Sequence, residues 1–191
     1  MRNCYMIKSR HELKEFLDCD KKQLGITRLY PRPFTDEIWK YQRILRKYEY
    51  WYNNESFMAK IIRPFYKLRW HRLGVKLSIG IGPNVFDKGL SIAHAGSINI
   101  NQNAKIGKNC RIHEGVTVGA SGGTSAPVIG NDVFLASGSK IMGEVFISDG
   151  CVIGANAVVV KNINEENITV AGVPAKKVSN NSSSKFIYWY K

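Results

Sequence analysis

Residues that cross-link a chain or hold metals are scarce in this one of 191 residues. Its four cysteines (Cys4, Cys19, Cys110 and Cys151) show no CxxC or other ligand spacing, which excludes a disulfide scaffold and a cysteine-rich zinc module. Histidine is equally rare. Only His94 and His113 lie beyond residue 78, too few for a three-histidine zinc centre there, so no metal is expected. No apolar run approaches the ~18 residues of a membrane span, and the N-terminus lacks the apolar segment of a secretion signal. A cytoplasmic protein is the expectation. Acidic residues are also few, 15 against 28 Lys and Arg, for a net charge of +13. Residues 1–76 carry 18 basic and 8 acidic side chains, while the remainder carries 10 and 7. Such a basic region suits an anionic membrane surface or a phosphorylated substrate. The plainer account is a solvated helical surface, and no nucleic-acid partner is expected.

What the chain does have is a period. Apolar residues recur at Phe86, Ile92, Ile100, Ile106, Ile112, Val118, Ile129, Leu135, Ile141, Ile147, Ile153 and Val159. Nine of the eleven steps are six residues, a spacing that neither a helix at 3.6 nor a half-buried strand at 2 produces. Four positions after many of these stands a small or β-branched residue, among them Ala104, Cys110, Val116, Ser139, Cys151 and Ala157. The pattern predicts a left-handed parallel β-helix. Each hexapeptide forms one side of a triangular prism, its large aliphatic fills the axis, and the small residue fits the corner. Coils of eighteen residues then stack at roughly 4.8 Å.

The breaks in the period locate the function. The step from Ile92 to Ile100 is eight residues and contains His94; the step from Val118 to Ile129 is eleven and contains Gly119 to Pro127. Extra residues cannot enter a closed prism, so they bulge at corners, where solenoids carry their chemistry. With both bulges allowed for, the predicted ladders are Ile100–Val118–Ile141–Val159, Ile106–Ile129–Ile147 and Ile112–Leu135–Ile153. His94 and His113 then fall on one side of adjacent coils.

Ahead of the repeat, Ser9-Arg-His-Glu12 has the capping-box form and opens a helix bearing Leu13, Phe16 and Leu17. A second helix follows Thr35-Asp-Glu37, with Ile38, Tyr41, Leu45, Tyr48 and Tyr52 as its stripe. A third runs to about Leu73, kinked or restarted at Pro64 and stopped by Gly74. Residues 1–76 are thus read as a helical region, 77–178 as the β-helix and 179–191 as a tail. The tail's Phe186-Ile-Tyr-Trp-Tyr190 run is expected to dock on its own chain or a neighbouring subunit.

Residues 89–120, GLSIAHAGSININQNAKIGKNCRIHEGVTVGA, resemble the active-site coils of the serine acetyltransferases, without a gap from His94 to Ala120. Ala171-Gly-Val-Pro-Ala-Lys176 is similar to the segment that closes the β-helix in many hexapeptide acyltransferases. Asp36-Glu-Ile-Trp-Lys40 resembles the shortened N-terminal region of acetyltransferases from bacterial surface-polysaccharide loci. The resemblance implies acetyl-CoA as co-substrate and a hydroxyl-bearing acceptor, with His94 as catalytic base. His113 is a second catalytic candidate. Backbone N–H groups of Gly119 and Ala120 are candidates for oxyanion donors. Gly119, Ala136 and Gly154 would line the pantetheine groove, Lys161 and Lys176 would meet the nucleotide end, and a groove between adjacent β-helices implies a homotrimer.

Three departures stand out. The family's carboxylate partner of the histidine falls in a stretch that here reads Gly80-Ile-Gly-Pro83, and its serine-contacting aspartate is here Ala93. Glu114 and Asp87 are candidates to orient His94 instead. The loop that holds the amino acid in the family is here Thr124-Ser-Ala-Pro127. An unpaired serine zwitterion would cost several kcal/mol, so the expected acceptor is a sugar hydroxyl met by Ser91, Ser97, Asn99, Ser121 and Thr124. L-serine is the alternative, its charges met by a neighbouring subunit or the helices. A γ-type carbonic anhydrase shares the fold but needs a third histidine, and a non-catalytic β-helical scaffold is the remaining rival.

Overall fold

The computed structural model describes residues 6–187. Three helices precede a parallel β-solenoid. Helix α1 (Arg10–Gln23) opens on the capping box: the Ser9 hydroxyl accepts from the Glu12 amide, and the Glu12 carboxylate accepts from the Ser9 amide. Helix α2 (Glu37–Tyr52) buries Trp39, Tyr41, Leu45 and Tyr48. Helix α3 (Phe57–Leu77) starts at Ser56, whose hydroxyl accepts from Ala59 N–H. It corrects the stop expected at Gly74 and rules out a restart at Pro64. The helix passes through Pro64, which lies on its exposed side, so that water can meet the carbonyl left without its usual partner. It also passes Gly74 and ends at Ser78, in the left-handed region at φ 55°. Gly74 serves packing instead, since a Cβ there would stand 2.7 Å from the carbonyl oxygen of Ile79.

The hexapeptides form three sheets, one per side of the prism. The first stacks Ile79–Ile81, Ile98–Ile100, Thr117–Gly119, Lys140–Met142 and Val158–Val159. The second stacks Lys105–Ile106, Val128–Ile129 and Phe146–Ile147. The third stacks Ser91–Ile92, Arg111–Ile112, Phe134–Leu135, Val152–Ile153 and Thr169–Ala171, and Lys176–Ser179 closes it antiparallel. The three predicted ladders are present rung for rung. Their aliphatics are buried on the axis, and so are the small corner residues Ala104, Cys110, Val116, Ser139, Cys151 and Ala157. Corners need left-handed backbone, which Asn109, Asp132 and Asn156 supply at φ 54–56°.

A buried ion network joins helices to solenoid. Arg46, 0% exposed, donates to Asp20 at 2.8 and 3.2 Å and to Glu49 at 3.0 Å. It also donates to the carbonyls of Phe86 (2.9 Å) and Asp87 (2.8 Å), in the first coil of the solenoid. Asp20 accepts in turn from Gly89 and Leu90 N–H, and Glu49 from Asn84 N–H. Gln42 adds a clamp, donating to the Leu90 carbonyl and accepting from Ile92 N–H. The charged groups of Arg46, Asp20 and Glu49 are thus all paired, as burial of charge demands, whereas one carboxylate oxygen of Asp87 beside them is buried without a partner.

The described part of the tail packs on its own chain. Ser183 N–H donates to the Gly150 carbonyl at 2.9 Å, and the Phe186 ring stacks on Phe134 at 4.6 Å and 7°. Residues 188–190 of the aromatic run lie outside the described residues. Among the described residues, no helix is long and apolar enough to cross a membrane.

Candidate active site

The eight-residue step is a corner bulge pinned to the end of α3. Ala93 N–H still pairs with the Ile112 carbonyl at 2.9 Å, after which the chain leaves the coil. Gly96, at φ 134°, donates to the Leu77 carbonyl at 3.1 Å, and Ile98 donates to the Ser78 carbonyl at 3.0 Å to re-enter the stack. The excursion leaves His94 exposed. One coil on, at the same corner, His113 sits half-buried with its ring 5.4 Å from that of His94 and nearly perpendicular, at 87°. The edge-to-face contact of His113 with Phe134, at 5.0 Å, extends through Phe134 to the tail residue Phe186. Ser137 Oγ lies 3.3 Å from His113 Nδ1.

The sequence left the orienting carboxylate open between Glu114 and Asp87, and the structure separates them. Asp87 accepts from the Lys88 amide at 2.7 Å beside the Arg46 network, away from the bulge. Glu114 is at the histidines: a donor atom from each of His94, His113 and Glu114 lies within 4.8 Å of the others. Hydrogen bonds from Ser137 and from its own amide hold the Glu114 carboxyl below its ordinary range, and His113 and His94 add to this. Burial pushes the His113 imidazole down, with Arg111 and His94 reinforcing and Glu114 opposing. His113 therefore stays neutral further into acid than a free imidazole, as a proton acceptor must.

The other candidates divide by position. Ala136 and Gly154 follow Leu135 and Ile153, which are in register with Ile112, so they continue the column of His113 along one corner. Gly119 ends a strand of the first sheet, at the edge away from the histidines, and Ala120 begins the exposed loop beyond it. The missing side chain of Gly119 accommodates Met142, whose Cε would lie 3.0 Å from an added Cβ. Lys161 and Lys176 are exposed near the C-terminal end of the solenoid. Sequence reasoning missed Ser137, whose only signal is that it follows Ala136 in the histidine column.

A three-helix cap on a hexapeptide solenoid is the architecture of the serine acetyltransferases, which this chain resembles in sequence and in fold. Its sequence is 40% identical over 128 residues to the serine acetyltransferase of Staphylococcus epidermidis, covering 64% of this chain and 56% of the relative. It is 35% identical over 120 residues to that of Buchnera aphidicola (60% and 43%) and 32% identical over 139 residues to that of Mycobacterium tuberculosis (70% and 57%). The chain thus spans about half the length of these curated relatives. No family model matches it. In fold it resembles a serine acetyltransferase solved in complex with CoA, with a TM-score of 0.71 at 22% identity over 88% of this chain and 71% of the other. The Neisseria gonorrhoeae serine acetyltransferase in complex with serine gives 0.67 at 24% identity, over 90% and 71%.

Proposed function

We propose that this protein is an acetyl-CoA-dependent O-acetyltransferase acting on L-serine. The observation that carries the reading is the His94–His113–Glu114 cluster, built on a bulge at the corner where the serine acetyltransferase resemblance is strongest. His94 Nδ1 or Nε2 takes the hydroxyl proton as the oxygen attacks the thioester carbonyl. The C–S bond then breaks, and the proton passes to the departing CoA thiolate. Glu114 and Ser137 keep the imidazole pair oriented. Gly119 and Ala120 stand one prism side from the histidines of their own chain, so their amides can serve as oxyanion donors only to a neighbouring copy. This supports a homotrimer with sites between β-helices, the pantetheine arm following the Ala136 and Gly154 column and the nucleotide end meeting Lys161 and Lys176.

The relatives named above are serine acetyltransferases, and none supports a sugar acceptor or a polysaccharide locus. The structure also weakens the argument that led to a sugar. Beside Ala93 and Ala95 lies a cavity of about 360 Å³ whose other wall includes Thr35, Asp36 and Glu37 at the start of α2. Asp36 is paired with Arg28. The Arg32 amide and the Arg28 guanidinium hold its carboxyl well below the ordinary value. Asp36 thus offers, from the helical cap, an anion on the cavity wall for the ammonium of serine. Thiol release from acetyl-CoA, measured against L-serine and a panel of sugars, should saturate at millimolar or lower serine and show no sugar turnover. Asp36→Asn should raise KM for serine about 10-fold or more with a smaller change in kcat, the scale of one charge-assisted hydrogen bond. Turnover of a sugar without turnover of serine would overturn the assignment.

The same three donors could seat a divalent cation, but acetyl transfer needs the imidazole lone pair free. Activity should therefore survive dialysis against EDTA, and added zinc should inhibit by occupying His94, His113 and Glu114. Loss of activity on chelation, restored by zinc, would refute the metal-free mechanism.

A further inference from the structure

Outside the catalytic corner, a recess of about 600 Å³ lies between α2 and α3. Six cations line it: Lys40, Arg43, Lys47, Arg69, Arg72 and Lys76. Glu37 is the one carboxylate there, and it is engaged by Lys40 at 3.4 Å and Lys76 at 3.6 Å. Among the described residues, Arg43, Lys47, Arg69 and Arg72 have no carboxylate partner. Two of the guanidinium groups are held by rings: Arg43 lies 5.6 Å over Trp39 and Arg69 5.3 Å over Phe65. Ring stacking fixes a guanidinium while leaving its N–H fork open to an acceptor. Lys47 stands between them, half-buried, and its ammonium is pushed down by burial and then by Arg43 and Arg69. Cations that serve only solubility spread apart on a surface, whereas these converge on a concave site.

We propose that the α2–α3 groove binds a diphosphate group. Four unpaired cations around one recess exceed what a single carboxylate or phosphate can neutralise, while the oxygens of two linked phosphates can accept from Arg43, Lys47, Arg69 and Arg72 together. Pro31, Pro33, Ile44 and Leu73 complete the lining with apolar surface. An RNA strand would need a run of rings for its bases, but Tyr66 is the one ring in the lining. The diphosphate can come from a soluble nucleotide-type molecule or from a lipid headgroup. The proposal is independent of the acetyl acceptor.

Calorimetric titration of the full chain with inorganic pyrophosphate tests it. Saturable binding is expected, at least ~10-fold tighter than for inorganic phosphate and weakening as salt rises. Lys47→Glu and Arg69→Glu should each weaken it ~10-fold or more while leaving thiol release with acetyl-CoA and L-serine unchanged. Lys47→Met should lose affinity yet unfold at the same or a higher temperature than wild type in the absence of pyrophosphate, because it relieves like-charge crowding. A flotation assay with phosphatidylcholine vesicles containing a polyprenyl diphosphate distinguishes the sources. Flotation that pyrophosphate displaces assigns the site to a headgroup, and pyrophosphate binding without flotation assigns it to a soluble ligand. No saturable binding overturns the proposal, as does binding lost in Lys176→Glu but kept in the groove variants. Capture of single-stranded RNA that pyrophosphate cannot displace also overturns it.

Discussion

Arg46→Leu should destabilise the protein by about 3–5 kcal/mol, the scale for removing one partner of a buried ion network. The substitution deletes every donor that reaches Asp20, Glu49 and the carbonyls of Phe86 and Asp87 from this side chain. It leaves two carboxyls, whose ionisation burial already opposes, without their cation. Arg46→Lys should recover little, because a single ammonium cannot bridge two carboxylates and two carbonyls in the plane of a guanidinium. Urea unfolding of the full chain reads the effect directly. A midpoint within the error of wild type for Arg46→Leu would show that the helical cap does not depend on this network. Because Asp20 also caps Gly89 and Leu90, which lead into the bulge of His94, activity should fall before global unfolding does.

The network explains why the two halves of the chain differed in how much their sequence revealed. The solenoid repeats, so each rung restates the same rule. An aliphatic such as Ile112 or Leu135 must face the axis, and a two-residue surplus such as that at His94 has nowhere to go but outward. Register, ladders and the pairing of His94 with His113 therefore followed from counting. The helical cap has no period to count. Arg46 reads as one more cation of a basic helix, and its partner Asp20 is 26 residues away in another helix. Only its i,i+3 neighbour Glu49 hinted at a pair. Pro64 was read as a kink or a restart because local propensity argues for one, and the helix is not restarted there because exposure of that face makes the missing hydrogen bond tolerable. Glu114 could not be separated from Asp87 because corner direction, not spacing, decides which carboxylate meets the imidazoles. The cavity at Asp36 and the cationic groove arise where distant helices meet, and no local pattern announces such a place.

His94→Ala should lower kcat by ~10²–10⁴-fold, the usual contribution of a positioned general base. KM for acetyl-CoA should change little, since His94 is at the bulge while Lys161 and Lys176 are near the far end of the solenoid. His113→Ala should cost less, because His113 is wedged between Phe134 and Ser137 and acts by holding its neighbour. An equal loss in both variants would instead mean that the two rings share the proton. Glu114→Gln separates orientation from electrostatics. Its carboxylate opposes the downward push on His113, so removing it should move the His113 titration to lower pH, as followed by NMR of the ring protons. A carboxylate with only a packing role would leave that titration where it is while stability changed. Near-wild-type turnover in His94→Ala would be fatal to the proposed mechanism, because no other imidazole at this corner is exposed enough to reach an incoming hydroxyl.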